Sequence, residues 1–137
     1  MDKETKRAII LDHFQHPIGQ GLFNDDSYKK VNINNESCID EINMMVKLEN
    51  GIIKDVRFAG EACAICTSST SIMIKLLLNK TIDEAQEIML NFENMINEKP
   101  YNKEILKEAQ VYDELYKQPN RIKCALLPWE CIKKVIK

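Results

Sequence analysis

A single hairpin signal constrains the fold of this chain more than any other feature. The dipeptide Asn50-Gly51 separates two segments in which apolar and polar residues largely alternate. This combination of turn and pattern is typical of two antiparallel strands. The sequence therefore predicts strands over 38–48 and 52–59, joined at one end and open at the other.

The register of this hairpin decides which side chains meet at its open end. A three-residue loop is predicted, because it places apolar residues opposite apolar residues and pairs Met44 with Val56. Cys38 then lies beside Cys63, and Asp40 shares the strand face of Cys38 because side chains alternate along a strand. We expect these three side chains to converge at one end of the sheet.

The rest of the chain has the spacing of helices and capping residues, apart from a weak strand at 28–33. Apolar spacing and capping residues predict a helix at 3–14, with Ala8, Leu11 and Phe14 on one face, and a buried helix at 72–78 that starts in the Thr67–Ser71 run. Further helices are predicted from Thr81, at 102–117, and at the C-terminus with Pro128 near its first turn. The two histidines near the end of the first helix, His13 and His16, are predicted to cap it. These elements predict one α+β domain over 1–137, a small antiparallel sheet with helices packed on one face.

Composition and charge exclude several functional classes. The 137 residues carry 19 Lys and Arg against 21 Asp and Glu, a formal net charge of -2. Such a balance provides no long-range field for nucleic acid or an anionic membrane. No apolar run approaches the roughly 20 residues that span a bilayer. No signal-peptide pattern follows Met1, so a cytoplasmic protein with no membrane or nucleic-acid partner is expected.

Five cysteines are many for a chain of this kind. Their odd number and the expected compartment argue against a disulfide framework. Cys63 and Cys66 form a CxxC pair, which is compatible with half of a zinc site or with a redox pair. Cys66 and Cys131 are also compatible with small buried apolar residues, the common state of a free cysteine.

A metal site accounts for several of these residues together. Zinc prefers four ligands such as thiolates and carboxylates. Cys38, Asp40 and Cys63 already converge by the hairpin argument, and Cys124 is a candidate for the fourth ligand. Such a set is rich in thiolate and suits a soft or borderline metal. Arg121 lies close enough in sequence to offset part of its negative charge.

Three short motifs occur in an order that resembles a known family. They are Cys38-Ile39-Asp40, Gly60-Glu61-Ala62-Cys63 and Arg121-Ile122-Lys123-Cys124. With the helical segment 10–17, they resemble the IscU/NifU-like iron–sulfur cluster assembly proteins over nearly the whole chain. The long segment before the last motif, and Lys123 where IscU has histidine, resemble the SufU branch.

The resemblance implies a fold, a cofactor and a partner. The fold would be SufE/NifU-like, and Cys38, Asp40, Cys63 and Cys124 would bind zinc. The activity would be that of a zinc-dependent sulfurtransferase, with Cys38 accepting persulfide sulfur from a PLP-dependent cysteine desulfurase of the SufS type. Arg121 would stabilise the anionic site, and downstream iron–sulfur assembly proteins would receive the sulfur.

Two alternatives use the same residues. The chain would be a scaffold if it assembled a [2Fe–2S] cluster on these ligands, since thiolates bind zinc and iron–sulfur clusters alike. It would be a non-catalytic, zinc-stabilised interaction domain if the metal only closed the fold. Ile39 and Ala62 replace glycines of the family pattern, and Cys66 replaces a common serine.

Overall fold

The computed structural model describes residues 1–34 and 40–136, and these form an antiparallel sheet packed against helices. The strands lie in the order β1-β2-β3, and the last helix packs on β1 and β2. The predicted α+β class with a small antiparallel sheet is confirmed. None of the helices in these two ranges is long and apolar enough to cross a membrane. The elements are α1 (Lys3–Gln15), β1 (Lys29–Asn34), β2 (Glu41–Glu49), β3 (Ile52–Ala59), α2 (Ala64–Leu77), α3 (Ile82–Ile96), α4 (Lys103–Leu106), two 3-10 helices (Lys107–Tyr112 and Leu115–Lys117) and α5 (Pro119–Lys133).

The β2–β3 hairpin has a two-residue loop, so the predicted three-residue loop is wrong. Asn50 and Gly51 have φ values of 54° and 74°. Two successive left-handed residues form the tight turn that matches the twist of paired strands. Glu49 therefore pairs directly with Ile52.

A bulge in β3 then restores the matching of apolar residues. Beyond the irregularity, Val46 lies opposite Val56 and Met44 opposite Phe58, with Lys54 as the extra residue of β3. The predicted pairing of Met44 with Val56 is thus displaced by two residues. The even displacement beyond the bulge keeps Val56 and Phe58 on their predicted face, and Asp40 still meets Cys63. Before the bulge, Ile53 is buried in place of the predicted Ile52.

The first helix matches its predicted bounds closely, but the apolar face noted in the sequence is largely exposed. Ala8 is exposed, and Leu11 and Phe14 are 49% and 42% exposed. His13, predicted to cap the helix, is instead buried against α2, where its Nδ1 lies 2.7 Å from Ser71 Oγ. A buried histidine is tolerated when it is hydrogen-bonded. The polarity of the residue alone therefore does not predict that it is exposed.

Helices α2 and α3 show where capping signals succeed and fail. The capping box of Thr81 and Glu84 is present, and the predicted apolar face of α3 is buried. Helix α2 begins at Ala64, with Cys63 as its N-cap. The Thr67–Ser71 run, predicted to form the helix start, lies further inside the helix and is buried.

The segment 102–117 is not the single helix that its pattern predicts. It consists of α4 followed by the two 3-10 helices, and Lys107 has a positive φ of 45°. Helix α5 then begins at Pro119, so Pro128 lies inside it and not in its first turn. The earlier start places Cys124 on the helix, where α5 packs against α2.

Candidate metal and sulfur site

Asp40 lies just before β2 and is almost fully buried, at 1% exposure. Its Oδ1 accepts a hydrogen bond of 2.7 Å from the backbone N–H of Cys63. This bond fixes the carboxylate against the turn that leads into α2. A buried carboxylate requires such partners, because its desolvation is otherwise very costly.

A close approach of two backbone segments builds this end of the sheet. Gly60 has a φ of 142°, and a Cβ at this position would collide with the carbonyl oxygen of Glu41. The N–H of Glu41 also donates a 2.7 Å hydrogen bond to the carbonyl of Glu61. Glycine at position 60 therefore permits the contact that brings Cys63 to Asp40.

Cys63 occupies the N-cap position of α2, with an extended backbone. Its Sγ accepts from the N–H of Cys66 at 3.4 Å, and it lies 3.5 Å from Asp40 Oδ2. Backbone N–H groups and the helix dipole favour negative charge at a helix start. The sulfur of Cys63 is therefore held at the start of α2, facing the Asp40 carboxylate.

Cys124 reaches the same point from α5. It is buried, at 4% exposure, and its Sγ lies 3.9 Å from the carbonyl oxygen of Asn120. Burial raises the pKa of the Cys124 thiol, and the nearby Asp40 and Cys63 raise that pKa further because they disfavour another negative charge.

Asp40, Cys63 and Cys124 together form what we call the sheet-end cluster. One ligand atom from each, a carboxylate oxygen and two sulfurs, lies within 4.8 Å of the other two. This separation is short enough for all three atoms to contact one ion. Two sulfurs and one oxygen suit a borderline or soft metal better than magnesium or calcium.

The structure brings together three of the five residues that the sequence singled out. Cys38 lies outside the described residues, so its predicted role as a ligand and sulfur acceptor stays a prediction. Arg121 is exposed in the first turn of α5, one turn before Cys124. Cys66 and Cys131 are fully buried, as expected of small apolar residues.

Sequence reasoning missed a group of cations on a different helix. Lys3, Lys6 and Arg7 of α1 line a groove that also contains Arg121, one turn before Cys124. Their i, i+3 and i+4 spacing places them on one helix face, which was a signal available in the sequence. That these cations share a groove with Arg121 depends on tertiary packing, which the sequence pattern does not reveal.

The comparisons with known proteins agree on a family. The model of the NifU-like N terminal domain matches residues 5–137. The chain is 35% identical over 129 residues to the zinc-dependent sulfurtransferase SufU of Bacillus subtilis, covering 93% of this chain and 86% of that protein. It is 36% identical over 132 residues to the iron–sulfur cluster assembly scaffold protein IscU of Streptococcus pyogenes, covering 95% and 81%.

A solved structure shares the fold. It is that of FiSufU from Fervidobacterium islandicum, described as an iron–sulfur cluster assembly scaffold protein for the SUF system. The two chains are 32% identical and superpose with a TM-score of 0.85, covering 94% of each. The arrangement of sheet and helices is therefore shared over nearly the whole length.

Proposed function

The chain belongs to the family of NifU-like N-terminal domains, and we propose that it is a zinc-dependent sulfurtransferase of iron–sulfur cluster assembly. In this proposal it accepts persulfide sulfur from a SufS-type cysteine desulfurase. The observation that carries the proposal is the sheet-end cluster, in which one oxygen and two sulfur ligand atoms lie within 4.8 Å of one another. Similarity to SufU of Bacillus subtilis supports it.

The chemistry of the sheet-end cluster fits zinc. Zinc sites take four ligands from cysteine, histidine and carboxylate side chains, and the cluster offers two cysteines and one carboxylate. We propose Cys38 as the fourth ligand, since it precedes Asp40 by two positions. When bound, zinc supplies a positive charge that stabilises the neighbouring thiolates.

The chain's own residues position the ligand atoms. The backbone N–H of Cys63 holds the Asp40 carboxylate, and the N–H of Cys66 points at the Cys63 sulfur. Helix α5 presents Cys124 from the opposite side. Arg121 lies one turn away and, in the proposal, offsets the excess negative charge of the ligands.

The proposed transfer step is a thiol–disulfide exchange. The Cys38 thiolate attacks the outer sulfur of the desulfurase persulfide, and a new sulfur–sulfur bond forms on Cys38. The old sulfur–sulfur bond breaks, and the desulfurase cysteine leaves as a thiolate. No oxidant or reductant is consumed, because one sulfur–sulfur bond replaces another.

Metal content and desulfurase stimulation together test this function. The purified chain is expected to contain one zinc and to accelerate sulfide or alanine production by a SufS-type desulfurase. Cys38→Ala should abolish the stimulation, whereas Cys131→Ala, which changes a buried cysteine outside the cluster, should keep it. Stimulation that survives Cys38→Ala would contradict the proposal.

A scaffold function is the second candidate, because the same ligand atoms suit a [2Fe–2S] cluster. The similarity to IscU of Streptococcus pyogenes favours it. Anaerobic incubation with iron and sulfide would then yield a coloured protein that donates its cluster to an apo-acceptor. Bound zinc without stimulation or cluster transfer would instead favour a zinc-stabilised interaction domain.

A further inference from the structure

A groove with a strongly basic lining lies between α1, the start of α2, the two 3-10 helices and the start of α5. Its volume is about 590 Å³, and its charged lining residues are Lys3, Lys6, Arg7, Lys117, Arg121 and Glu114. We call it the basic groove. Its floor is apolar and includes Ile10 and Ile65.

The charge of the basic groove contrasts with that of the whole chain. Five cations and one carboxylate line it, although the chain has a net charge of -2. Lys6 bonds to Asp113 at 2.6 Å, and Lys117 lies 3.8 Å from Glu114. The other three cations of the groove form no ion pair within residues 1–34 and 40–136. A concave surface lined by one sign of charge focuses its electrostatic field.

Three helix starts border the groove, and one of them adds to its positive potential. The lining includes Lys3 and Ala64, the first residues of α1 and α2, and Gln118, the N-cap of α5. Carboxylates lie at the starts of α1, which has Asp2 and Glu4, and of α2, where Asp40 accepts from the N–H of Cys63. The first turn of α5 contains no acidic residue, so its partial positive charge is not offset there.

Residues of the groove adjoin residues of the sheet-end cluster along two helices. Ala64 and Ile65 directly follow Cys63 in α2, and Arg121 lies one turn before Cys124 in α5. A macromolecule whose reactive group approaches the cluster from this side also covers the groove. Charges there would guide its approach and orient it.

We propose that the basic groove binds an acidic segment of the sulfur-donating desulfurase, an inference that rests on the proposed function. The cations favour carboxylates, and the apolar floor favours the aliphatic or aromatic side chains that a polypeptide carries between them. The phosphate backbone of a nucleic acid has no apolar side chains that could pack on this floor. The net negative charge of the chain also disfavours long-range attraction of nucleic acid. A polypeptide is thus the occupant that matches both features.

Charge reversal on α1 tests the groove without altering the cluster. The variant Lys3→Glu/Arg7→Glu changes two exposed cations, and acidic residues near a helix start do not oppose folding. Lys99→Glu/Lys103→Glu is the matched control, since both lysines are exposed and lie outside the groove. Titration calorimetry with the desulfurase, without its cysteine substrate, measures binding, and turnover assays measure stimulation.

The groove variant is expected to bind the desulfurase more than about tenfold more weakly at low salt, while its maximal stimulation at saturation is unchanged. The control should change affinity less than about twofold. The proposal would be overturned if the groove variant and the control bound the desulfurase with equal affinity. This holds even if the groove variant binds a single-stranded oligonucleotide more weakly, since the groove would then have a different occupant. If the unmodified chain bound the desulfurase through the groove but did not stimulate it, the proposed function would be overturned. The assignment of the groove as a binding site would still stand.

Discussion

Two clusters of buried polar groups lie along α2, and they differ in how their groups are paired. At the start of the helix, the sheet-end cluster gathers a carboxylate and two thiols. Further along, hydroxyl, imidazole and indole groups pair donors with acceptors. The pairs of this second group, the α2 network, are His13–Ser71, Tyr112–Ser68 and Trp129–Ser69, with Ser69 also donating to the carbonyl of Ala125.

The comparison separates a region whose groups pair with one another from one that offers ligand atoms to a cation. No buried side-chain nitrogen or oxygen in the described part of the chain lacks a hydrogen-bond partner, so the α2 network closes the core by itself. In the sheet-end cluster, burial raises the pKa of the Cys124 thiol, and the nearby Asp40 and Cys63 raise it further. In the proposed function, a metal ion is the common partner of these three residues.

The largest expected effect separates metal affinity from folding. Cys63→Ser removes one sulfur ligand but keeps a residue that caps helices well. Zinc affinity should fall by more than the roughly 10–100-fold that loss of an outer-shell partner costs, since a direct ligand is lost. Competition with a chromophoric chelator measures the affinity.

The matched control is Cys131→Ser, a buried cysteine outside the sheet-end cluster. It should keep one zinc per chain even if it lowers the free energy of unfolding. Zinc affinity of Cys63→Ser within tenfold of the unmodified chain would show that the cluster is not the metal site. The two buried regions would then no longer differ in whether they bind a metal ion.

The next effect is on stability alone. Ser69→Ala removes the acceptor of the Trp129 Nε1–H bond, which is 3.0 Å long, and the donor to Ala125, at 2.6 Å. A buried indole N–H without a partner costs about 1–3 kcal/mol. Urea unfolding should show this loss in the metal-free protein, with zinc affinity unchanged.

Ser27→Ala provides the exposed control for this substitution, because Ser27 hydrogen-bonds only locally, to Asp25. Its cost should stay within about 0.5 kcal/mol. Equal losses for the two variants would mean that the α2 network does not stabilise the core. A drop in zinc affinity for Ser69→Ala would mean that the two regions are coupled through α2 and α5.

Local signals predicted the parts of the fold in which each residue's partner is near in sequence. The capping box at Thr81 and the apolar face of α3 depend on neighbours within one or two turns, and both are confirmed. The hairpin was predicted for the same reason. The meeting of Asp40 with Cys63 survived the wrong register because the displacement was even.

The errors have a common physical cause in tertiary packing. His13 is buried because a serine on another helix satisfies it, which no local pattern reveals. The segment 102–117 has helical spacing, yet 3-10 turns and a positive φ at Lys107 break the helix. Tertiary contacts of this kind override local propensity. The approach of Cys124 to the cluster depends equally on packing, and from the residues alone it was only a candidate.

The smallest expected effect concerns Cys66, which lies between the two regions. Its backbone N–H points at the Cys63 sulfur, and its side chain is fully buried. Cys66→Ser keeps that N–H, and a helical serine hydroxyl can bond to a carbonyl one turn earlier. The free energy of unfolding should therefore fall by about 1 kcal/mol, and elemental analysis should still find one zinc per chain. Loss of zinc would instead identify the Cys63–Cys66 pair as half of the metal site, and the boundary between the two regions would shift by one turn into α2.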